Sequence, residues 1–269
     1  MSGARRLWAA LLLAVAANAS ALAPPPAQRV ASLNLCTDLL LLAVAAPEHI
    51  VSLTALAADP QLSPMSAEAR RYPANHGRAE ELLPLHPDLV LADESSAAAS
   101  LSLLRRLGVQ VEVFASPTTV AGIQHNLLKL GRLLGREAVS QALAARLPAA
   151  ETASMGTAWL LQPGGHTPGE SSLGPALLAA AGLRDLAPAH GLGAGGFVPL
   201  ERLLLSRPDF LVTGARTSGD SSRAEEWLAH PALTHAPIRH LRVAENLWSC
   251  GGVSFAEAVT TLRRAAASE

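Results

Sequence analysis

The second half of this 269-residue chain contains a polar, glycine-rich loop whose serines could act as nucleophiles. The loop contains Gly-Glu-Ser-Ser-Leu-Gly, residues 169–174, which is close to the Gly-x-Ser-x-Gly turn that exposes the nucleophilic serine of α/β hydrolases. The match fails because Leu173 stands where the turn requires its second glycine. We therefore predict no catalytic residue. An exported α/β hydrolase that uses a loop serine and a histidine stays an alternative.

Three of the nine histidines, His230, His235 and His240, are evenly spaced and raise the question of a metal site. This spacing does not place side chains on one face of a helix, and Pro231 and Pro237 interrupt any helix there. The His-Glu-x-x-His and Cys-x-x-Cys motifs of metal and redox sites are absent from the sequence. We predict no metal site, and a two-lobed protein that binds a metal ion stays a second alternative.

Two acidic residues head two copies of one sequence pattern. The chain reads EELLPLHPDLVLAD over residues 80–93 and LERLLLSRPDFLVTG over residues 200–214, and Glu80 aligns with Glu201. Each carboxylate stands at the start of a short predicted helix, where the helix dipole favours a negative charge. Taken singly, each acid is explained by that position. As a pair on two equivalent units, they could dock a two-fold symmetric partner.

The elements that position these residues alternate between strands and helices. Most of the predicted strands are apolar on both faces, which is typical of a parallel sheet covered by helices on two sides. The sequence therefore predicts an α/β fold, with Thr37 or Asp38 capping the first helix. The predicted strands are residues 29–35, 49–53, 88–92, 109–114, 157–162, 209–212 and 240–244, and the predicted helices are residues 36–46, 79–85, 98–107, 120–147, 175–181, 200–205, 227–233 and 255–267.

One predicted helix is much longer than the others. Apolar residues recur at helical spacing from Val120 to Leu147, and Pro148 ends the pattern. At about 1.5 Å per residue such a helix would be a rod of about 40 Å, longer than one lobe needs. We therefore predict two α/β lobes, residues 22–118 and residues 149–269, joined by a single long α-helix over residues 119–148.

The first 21 residues have the pattern of an export signal. Arg5 and Arg6 precede an apolar run, and small residues follow, so that Ala19 or Ala21 is the expected last residue of the signal. The run is too short to span a bilayer, and no cysteine near the cleavage point could carry a lipid. We expect an exported, soluble mature protein, with a retained anchor helix as the alternative.

Charge and cysteine content narrow the classes of partner and compartment. The formal net charge is −1 and the basic residues form no stripe, so we predict no nucleic-acid binding. The two cysteines, Cys36 and Cys250, lie near opposite ends of the mature chain. In an oxidising compartment they favour one disulfide, and two buried free thiols are the alternative.

The loops that could bind a ligand follow from the predicted sheets. Ligands of open parallel sheets bind beyond the carboxyl ends of the strands, where loops and helix N-termini collect. In this chain those loops are rich in Ser, Thr, Gly, Asn and His, and their aromatic residues are Tyr72, Phe197 and Trp248. Such loops can hydrogen-bond a large polar ligand.

The order and spacing of these segments resemble one known family across essentially the whole mature chain. The chain is similar to the periplasmic substrate-binding proteins of ABC importers for vitamin B12, ferric siderophores and haem, whose lobes are joined by one rigid helix. The matching segments are RVASLNLCTDLLLLAVAAPEHIVSL, EELLPLHPDLVLA, LRRLGVQVEVF, KLGRLLGREA, LLAAAGLRDLA, VPLERLLLSRPDFLV, HPALTHAPIRHLRV and WSCGG.

This resemblance implies two Rossmann-like lobes that face each other across a cleft. It also implies a monomer with no enzymatic activity and no cofactor, which captures a metal chelate and delivers it to the permease dimer of an ABC importer with its ATPase. Glu80 and Glu201 fall on the positions at which this family docks onto arginines of the permease. The residues expected to bind the ligand are Asn34, Cys36, Thr37, Tyr72, Ser95, His166, Phe197, Arg216 and Trp248.

The chain also departs from some members of that family. Relatives that bind vitamin B12 carry a cleft aromatic residue where this chain has Ala92, Asp93 and Glu94. The resemblance implies that the loops of Cys36 and Cys250 face the cleft, where the cysteines bridge or contact the ligand. Basic residues available for an anionic iron chelate are Arg70, Arg71, Arg78 and Arg216.

Overall fold

The structure, a computed structural model, describes residues 25–151, 153–215 and 230–268. Two parallel sheets with flanking helices divide these residues into two lobes, which confirms the predicted α/β fold. No helix within the described ranges has both the length and the apolar character needed to cross a bilayer. The predicted signal, residues 1–21, and Arg216 lie outside the described residues.

The first lobe is built on a five-stranded parallel sheet. Its strands are β1 (Val30–Ser32), β2 (Ile50–Thr54), β3 (Ala74–Asn75), β4 (Leu89–Asp93) and β5 (Gln110–Phe114), and its helices are α1 (Leu35–Val44), α2 (Ser66–Ala69), α3 (Ala79–Leu82) and α4 (Ala98–Arg106). The strand order is β3-β2-β1-β4-β5, so the first strand of the chain is central. Because all five strands are parallel, their carboxyl ends lie at the same edge of the sheet.

Two helices connect the lobes, α5 (Val120–Leu133) and α6 (Glu137–Ala145), and the single long helix predicted over residues 119–148 is not formed. The backbone turns through Gly135, whose φ of 62° is the left-handed conformation that glycine adopts most readily. Helix α6 then folds back on α5, so closely that a β-carbon on Gly131 would lie 2.0 Å from the Ser140 hydroxyl oxygen. Periodicity did not reveal the turn because both helices bury apolar residues in the same core.

The second lobe is built on a four-stranded parallel sheet. The six strands of this lobe are β6 (Gly156–Leu161), β7 (His166–Thr167), β8 (Leu183–Asp185), β9 (Gly196–Phe197), β10 (Phe210–Ala215) and β11 (Arg239–Ala244), of which β6, β8, β10 and β11 form the sheet. The helices of this lobe are α7 (Gly174–Ala180), α8 (Leu200–Ser206), α9 (Pro231–Thr234) and α10 (Phe255–Ala267). The strand order is β11-β10-β6-β8, which matches that of the first lobe without β3. Strands β7 and β9 pair antiparallel outside this sheet.

The buried apolar side chains form a central cluster and two outer ones. The central cluster contains Leu91 of the first sheet, Leu127 of α5 and Leu160 of the second sheet, so one core runs through both lobes. The outer clusters lie on the remaining face of each sheet, around Leu82 in the first lobe and Trp159 in the second. Each sheet is thus covered on both faces, as its apolar strands require.

The repeated sequence unit forms the same corner in each lobe. A residue in the left-handed conformation, His86 or Arg207, ends the helical segment, and a proline and an aspartate follow. The Asp88 carboxylate accepts hydrogen bonds of 2.8 and 3.0 Å from the backbone N–H groups of Gln28 and Arg29, beside the start of β1. The aspartate therefore anchors the neighbouring central strand.

The corner of the second lobe makes the equivalent contact. The Asp209 carboxylate accepts hydrogen bonds from the backbone N–H and the hydroxyl of Thr157, at 2.7 and 2.8 Å, at the start of β6. The backbone hydrogen bond from Thr157 lowers the pKa of Asp209 below its ordinary value. The Pro-Asp step of the repeat is thus explained by the fold.

Some element ends differ from the sequence prediction. Helix α1 begins at Leu35, and Asn34, not Thr37 or Asp38, caps it by accepting a 2.7 Å hydrogen bond from the Cys36 backbone N–H. The helix predicted over residues 227–233 begins outside the described residues. The short strands β3, β7, β8 and β9 were not predicted, because two or three residues cannot display a periodicity.

Candidate ligand-binding cleft

A cavity of about 380 Å³ lies between the lobes at the carboxyl ends of both sheets. The first lobe contributes residues that follow β1, β4 and β5, and the second contributes residues that follow β6, β7 and β11. We call this cavity the cleft. Parallel sheets bind ligands at this edge because loops of several strands converge there, and the volume lies in the ordinary range of small-molecule sites.

The N-terminus of α1 forms part of the first wall. Cys36 and Thr37 line the cleft from the first turn of this helix, which Asn34 fixes as its N-cap. Behind them the Asp38 side chain is buried and accepts hydrogen bonds from the backbone N–H and the hydroxyl of Thr54. Burial raises the pKa of Asp38 to about 7, against the opposing effect of the Thr54 bonds.

A disulfide crosses from one wall of the cleft to the other. Cys36 of the first lobe and Cys250 of the second lobe are bonded, with their Cα atoms 4.9 Å apart, and both residues line the cavity. The bridge joins residues 214 positions apart in the chain. The lobes are therefore linked twice, through α5 and α6 and through this bond.

The segment after β11 forms much of the second wall. Trp248 lines the cleft and is 3% exposed, and its indole Nε1 is buried without a hydrogen-bond partner among the described residues. Gly251 has a φ of 62°, and a β-carbon there would lie 2.5 Å from Leu173 and 2.7 Å from Pro117. Glycine is thus required at this position, where the backbone packs closely against Leu173 and Pro117.

Two carboxylates reach the cleft, one from each lobe. Asp93, at the end of β4, is buried, and its Oδ1 accepts hydrogen bonds from the Ser95 backbone N–H, the Ser95 hydroxyl and the Ser96 hydroxyl. Glu245, directly after β11, accepts a 2.7 Å hydrogen bond on Oε1 from the side-chain amide of Gln162. Neither forms an ion pair with any residue in the described ranges.

The structure brings together three of the residues predicted to bind the ligand. Cys36, Thr37 and Trp248 line the cleft itself. Asn34 and Ser95 do not line it, but they lie beside it, because the Asn34 amide approaches the Ser95 hydroxyl at 3.4 Å and Ser95 binds Asp93.

The other predicted ligand residues lie elsewhere. Tyr72 is half-buried and packs against the central core, so it does not line the cleft. His166 and Phe197 do not line the cleft either. They belong to the small sheet of β7 and β9, where the centroids of their rings are 6.0 Å apart. The basic residue predicted for this site, Arg216, lies outside the described residues.

Several lining residues were missed by the sequence prediction. Asp93, Gln162 and Glu245 each stand at or directly after the last residue of a strand, at the edge where ligands of parallel sheets bind. That position is a usable signal, but strand ends are the least certain part of a sequence-based prediction. Asn126 of α5 also lines the cleft, and its amide donates to the Ala115 backbone oxygen at 2.9 Å.

Glu80 and Glu201 lie outside the cleft. Both are exposed in the first turn of a short helix, α3 and α8, as the sequence predicts. Neither side chain has a hydrogen bond or an ion pair with another described residue. Helix placement accounts for their position, but the packing of the described residues does not require a carboxylate there.

Larger cavities occur on outer surfaces of the molecule. One of about 660 Å³ lies between α6 and α10, and one of about 760 Å³ lies at the amino ends of β10 and β11. Neither lies at the carboxyl ends of the sheets, so we regard the smaller cleft as the candidate site. Within the described residues, no group of three or more His, Cys, Asp or Glu side chains is arranged to hold a metal ion.

Comparison with known proteins assigns the class. The family model for periplasmic binding proteins matches residues 30–238, and the chain belongs to this family. Its members are substrate-binding proteins that carry no resident cofactor, and they are not enzymes, so the hydrolase alternative is set aside. No curated protein matches the chain.

Solved structures with the same fold include proteins named for binding haem and vitamin B12. The haem-binding protein HutB of Vibrio cholerae has a TM-score of 0.70 and 19% identity, covering 88% of this chain and 98% of its own. The apo form of the haem-binding protein RhuT from Roseiflexus sp. RS-1 has a TM-score of 0.66 and 20% identity, covering 89% and 99%. The vitamin B12-binding protein BtuF of Vibrio cholerae has a TM-score of 0.61 and 17% identity, covering 90% and 97%.

Proposed function

We propose that the protein is exported to the periplasm, captures a metal chelate in the cleft and delivers it to the permease of an ABC importer. The observation that carries this proposal is the cleft itself, which collects residues from the carboxyl ends of both sheets. Membership of the periplasmic binding protein family supports it, as do similar structures whose ligands are haem and vitamin B12. The chelate class proposed is a corrinoid, a ferric siderophore or haem.

Capture can be tested by fluorescence, because Trp248 lies in the cleft wall. We expect saturable quenching of intrinsic fluorescence when the oxidised protein is titrated with cyanocobalamin, haem and a ferric hydroxamate in turn. Trp248→Phe should lose most of the signal change that reports on binding. Trp159→Phe is the matched control, since Trp159 packs in the outer core of the second lobe. If no chelate changes the fluorescence and divalent metal alone raises the melting temperature, the metal-ion alternative is favoured instead.

Delivery requires a docking surface, and we propose Glu80 and Glu201 for it. The two carboxylates are exposed, lack partners among the described residues and occupy equivalent places on two similar lobes. Such an arrangement suits a permease dimer that presents an arginine to each lobe, because charge-assisted carboxylate–arginine pairs orient a reversible complex.

Docking can be tested separately from capture. We expect Glu80→Ala and Glu201→Ala each to lower chelate uptake in cells that contain the cognate permease, and the double variant to lower it most. The affinity for the chelate should not change in any of them. Glu137→Ala is the matched control, because Glu137 is also an exposed glutamate in the first turn of a helix but lies on the connecting α6. Unchanged uptake by the double variant would reject this docking surface.

A further inference from the structure

The charged groups of the cleft are all of one sign. Among the described residues that line it, Asp93 and Glu245 are the charged side chains, and none is a lysine, arginine or histidine. One carboxylate comes from each lobe, so a ligand between the lobes faces negative charge on both sides. This charge is a property of the site already proposed and bears on which chelate it accepts.

The hydrogen bonds to these carboxylates leave their negative charge uncompensated. The donors on Asp93 are the Ser95 backbone N–H and two serine hydroxyls, and the donor on Glu245 is the Gln162 amide. All of these donors are neutral. Asp93 is 8% exposed, so water screens its charge less than it would at the surface. A positive or hydrogen-bond-donating group on the ligand would therefore be favoured here.

Trp248 lines the cleft, but its indole N–H is buried away from solvent. Trp248 is 3% exposed, and its Nε1–H has no acceptor among the described residues. A buried donor without an acceptor costs about 1 to 3 kcal/mol. Because this atom is itself buried, it is not presented to the cleft, and the two carboxylates determine the charge preference of the site.

The described lining residues offer little for binding to the metal itself. They include no histidine or tyrosine, and the two cysteine sulfurs are bonded to each other. Haem iron in proteins is held by a histidine, cysteine, methionine or tyrosine side chain, and the described lining contains none of these in a free form. A chelate whose metal is already fully coordinated needs no such residue.

We infer that the cleft selects metal chelates with a neutral or positive overall charge and a fully coordinated metal, and that it rejects chelates with free carboxylates or catecholate charge. This inference rests on the proposed function and names the substrate class of the same site. Repulsion between an anionic chelate and the two carboxylates supplies the discrimination. Amide-rich chelates carry hydrogen-bond donors that Asp93 and Glu245 can accept.

A charge series of chelates tests the inference. The probes are cationic ferrioxamine B, neutral ferrichrome, neutral cyanocobalamin, haem with its two propionates, and trianionic ferric enterobactin, each titrated into the oxidised protein. We expect at least one neutral or cationic probe to bind at least about 100-fold more tightly than haem and ferric enterobactin, since each of the two cleft carboxylates is expected to contribute about tenfold.

Substitutions then connect the preference to the two carboxylates. Asp93→Asn and Glu245→Gln keep the acceptor oxygens for their serine and glutamine partners, and each should reduce the preference against anionic probes about tenfold. Glu94→Gln, next to Asp93 but exposed and outside the cleft, should leave the preference unchanged. Because the two variants lie in different lobes, a folding defect in one leaves the other informative.

The outcomes separate this inference from the proposed function. Tighter binding of haem or ferric enterobactin than of every neutral and cationic probe would overturn the inference and leave chelate capture intact. A charge preference that neither Asp93→Asn nor Glu245→Gln alters would also overturn the inference and leave chelate capture intact. Failure of all five probes to bind would contradict the proposed function, and the inference with it.

Discussion

The two lobes contain the same corner between a short helix and a strand, but the aspartate in that corner makes different hydrogen bonds in each lobe. In both, a left-handed residue, a proline and an aspartate follow a short helix, and the aspartate anchors the central strand. Asp88 does so through two backbone N–H groups, and Asp209 through one backbone N–H and the Thr157 hydroxyl. What both lobes retain without an internal contact is the glutamate at the start of the helix. The comparison thus separates residues that the fold requires from residues that a partner would require.

The lobes also differ in the helix that follows their first strand. In the first lobe, α1 carries the buried Asp38, which binds Thr54 at the end of β2. In the second lobe, the corresponding α7 has no acidic residue. The first lobe therefore has a titratable group directly behind the cleft wall, and the second lobe has an apolar helix in that place. Asp38 should therefore make the stability of the first lobe depend on pH.

The largest expected effect comes from the bond that joins the lobes. Cys36→Ser with Cys250→Ser removes a link between residues 214 positions apart, and should lower the free energy of unfolding by about 3 to 5 kcal/mol. Urea unfolding of the oxidised protein and of the double variant measures this difference. Reduced wild-type protein is the control and should match the variant. Equal midpoints for the oxidised protein and the variant would show that the bridge does not hold the lobes.

A smaller effect is expected from Asp38. Its pKa in the folded protein, about 7, lies above its ordinary value, so the folded state holds more protons and the free energy of unfolding falls as pH rises from about 4 to 7. Asp38→Asn removes this dependence and should be more stable than wild type at pH 8 by up to about 4 kcal/mol, because each pKa unit corresponds to about 1.4 kcal/mol. Thermal or urea unfolding across pH 4 to 8 measures it.

The internal control for this prediction is pH 4, where the wild-type side chain is protonated and the two proteins should have similar stability. A difference between them that is the same at every pH would contradict the assignment, because it would come from packing and not from ionisation.

The repeated aspartates should each contribute about 1 to 1.5 kcal/mol, because each carboxylate accepts two hydrogen bonds at an exposed site. We expect Asp88→Ala and Asp209→Ala to lower the free energy of unfolding by similar amounts at pH 7. The pKa of Asp209 is lowered in the folded state, so its contribution is present above about pH 4 and is lost as pH falls further. A loss in one lobe only would break the equivalence of the two corners.

The smallest effect on stability is expected at the glutamates. Glu80→Ala and Glu201→Ala remove exposed side chains without partners among the described residues, and should change the free energy of unfolding by less than about 0.5 kcal/mol. Urea unfolding of both variants beside the aspartate variants makes the comparison direct. A loss comparable to that of Asp88→Ala would mean that the fold, and not a partner, requires the acid.

More of the fold than of the candidate site could be predicted from the sequence. Local sequence signals predicted several elements that the structure contains. These signals are apolar strands such as residues 88–92, helix ends at prolines, and the repeated unit. The turn at Gly135 was missed because the apolar spacing continues across it in phase with one core. Tyr72 was expected in the cleft because aromatic loop residues often bind ligands, but its ring packs into the core. Asp93 and Glu245 line the same cleft only because distant segments of the chain pack together, and no local sequence pattern records that packing.

We propose that a chelate binds in the cleft between the lobes. Hydrogen–deuterium exchange, measured with and without the tightest-binding probe, tests it most directly. We predict slower exchange confined to the five segments that contain most of the residues lining the cleft, residues 34–38, 93–96, 114–117, 168–173 and 245–251. Protection at the outer cavity between α6 and α10, with unchanged exchange in those five segments, would contradict it.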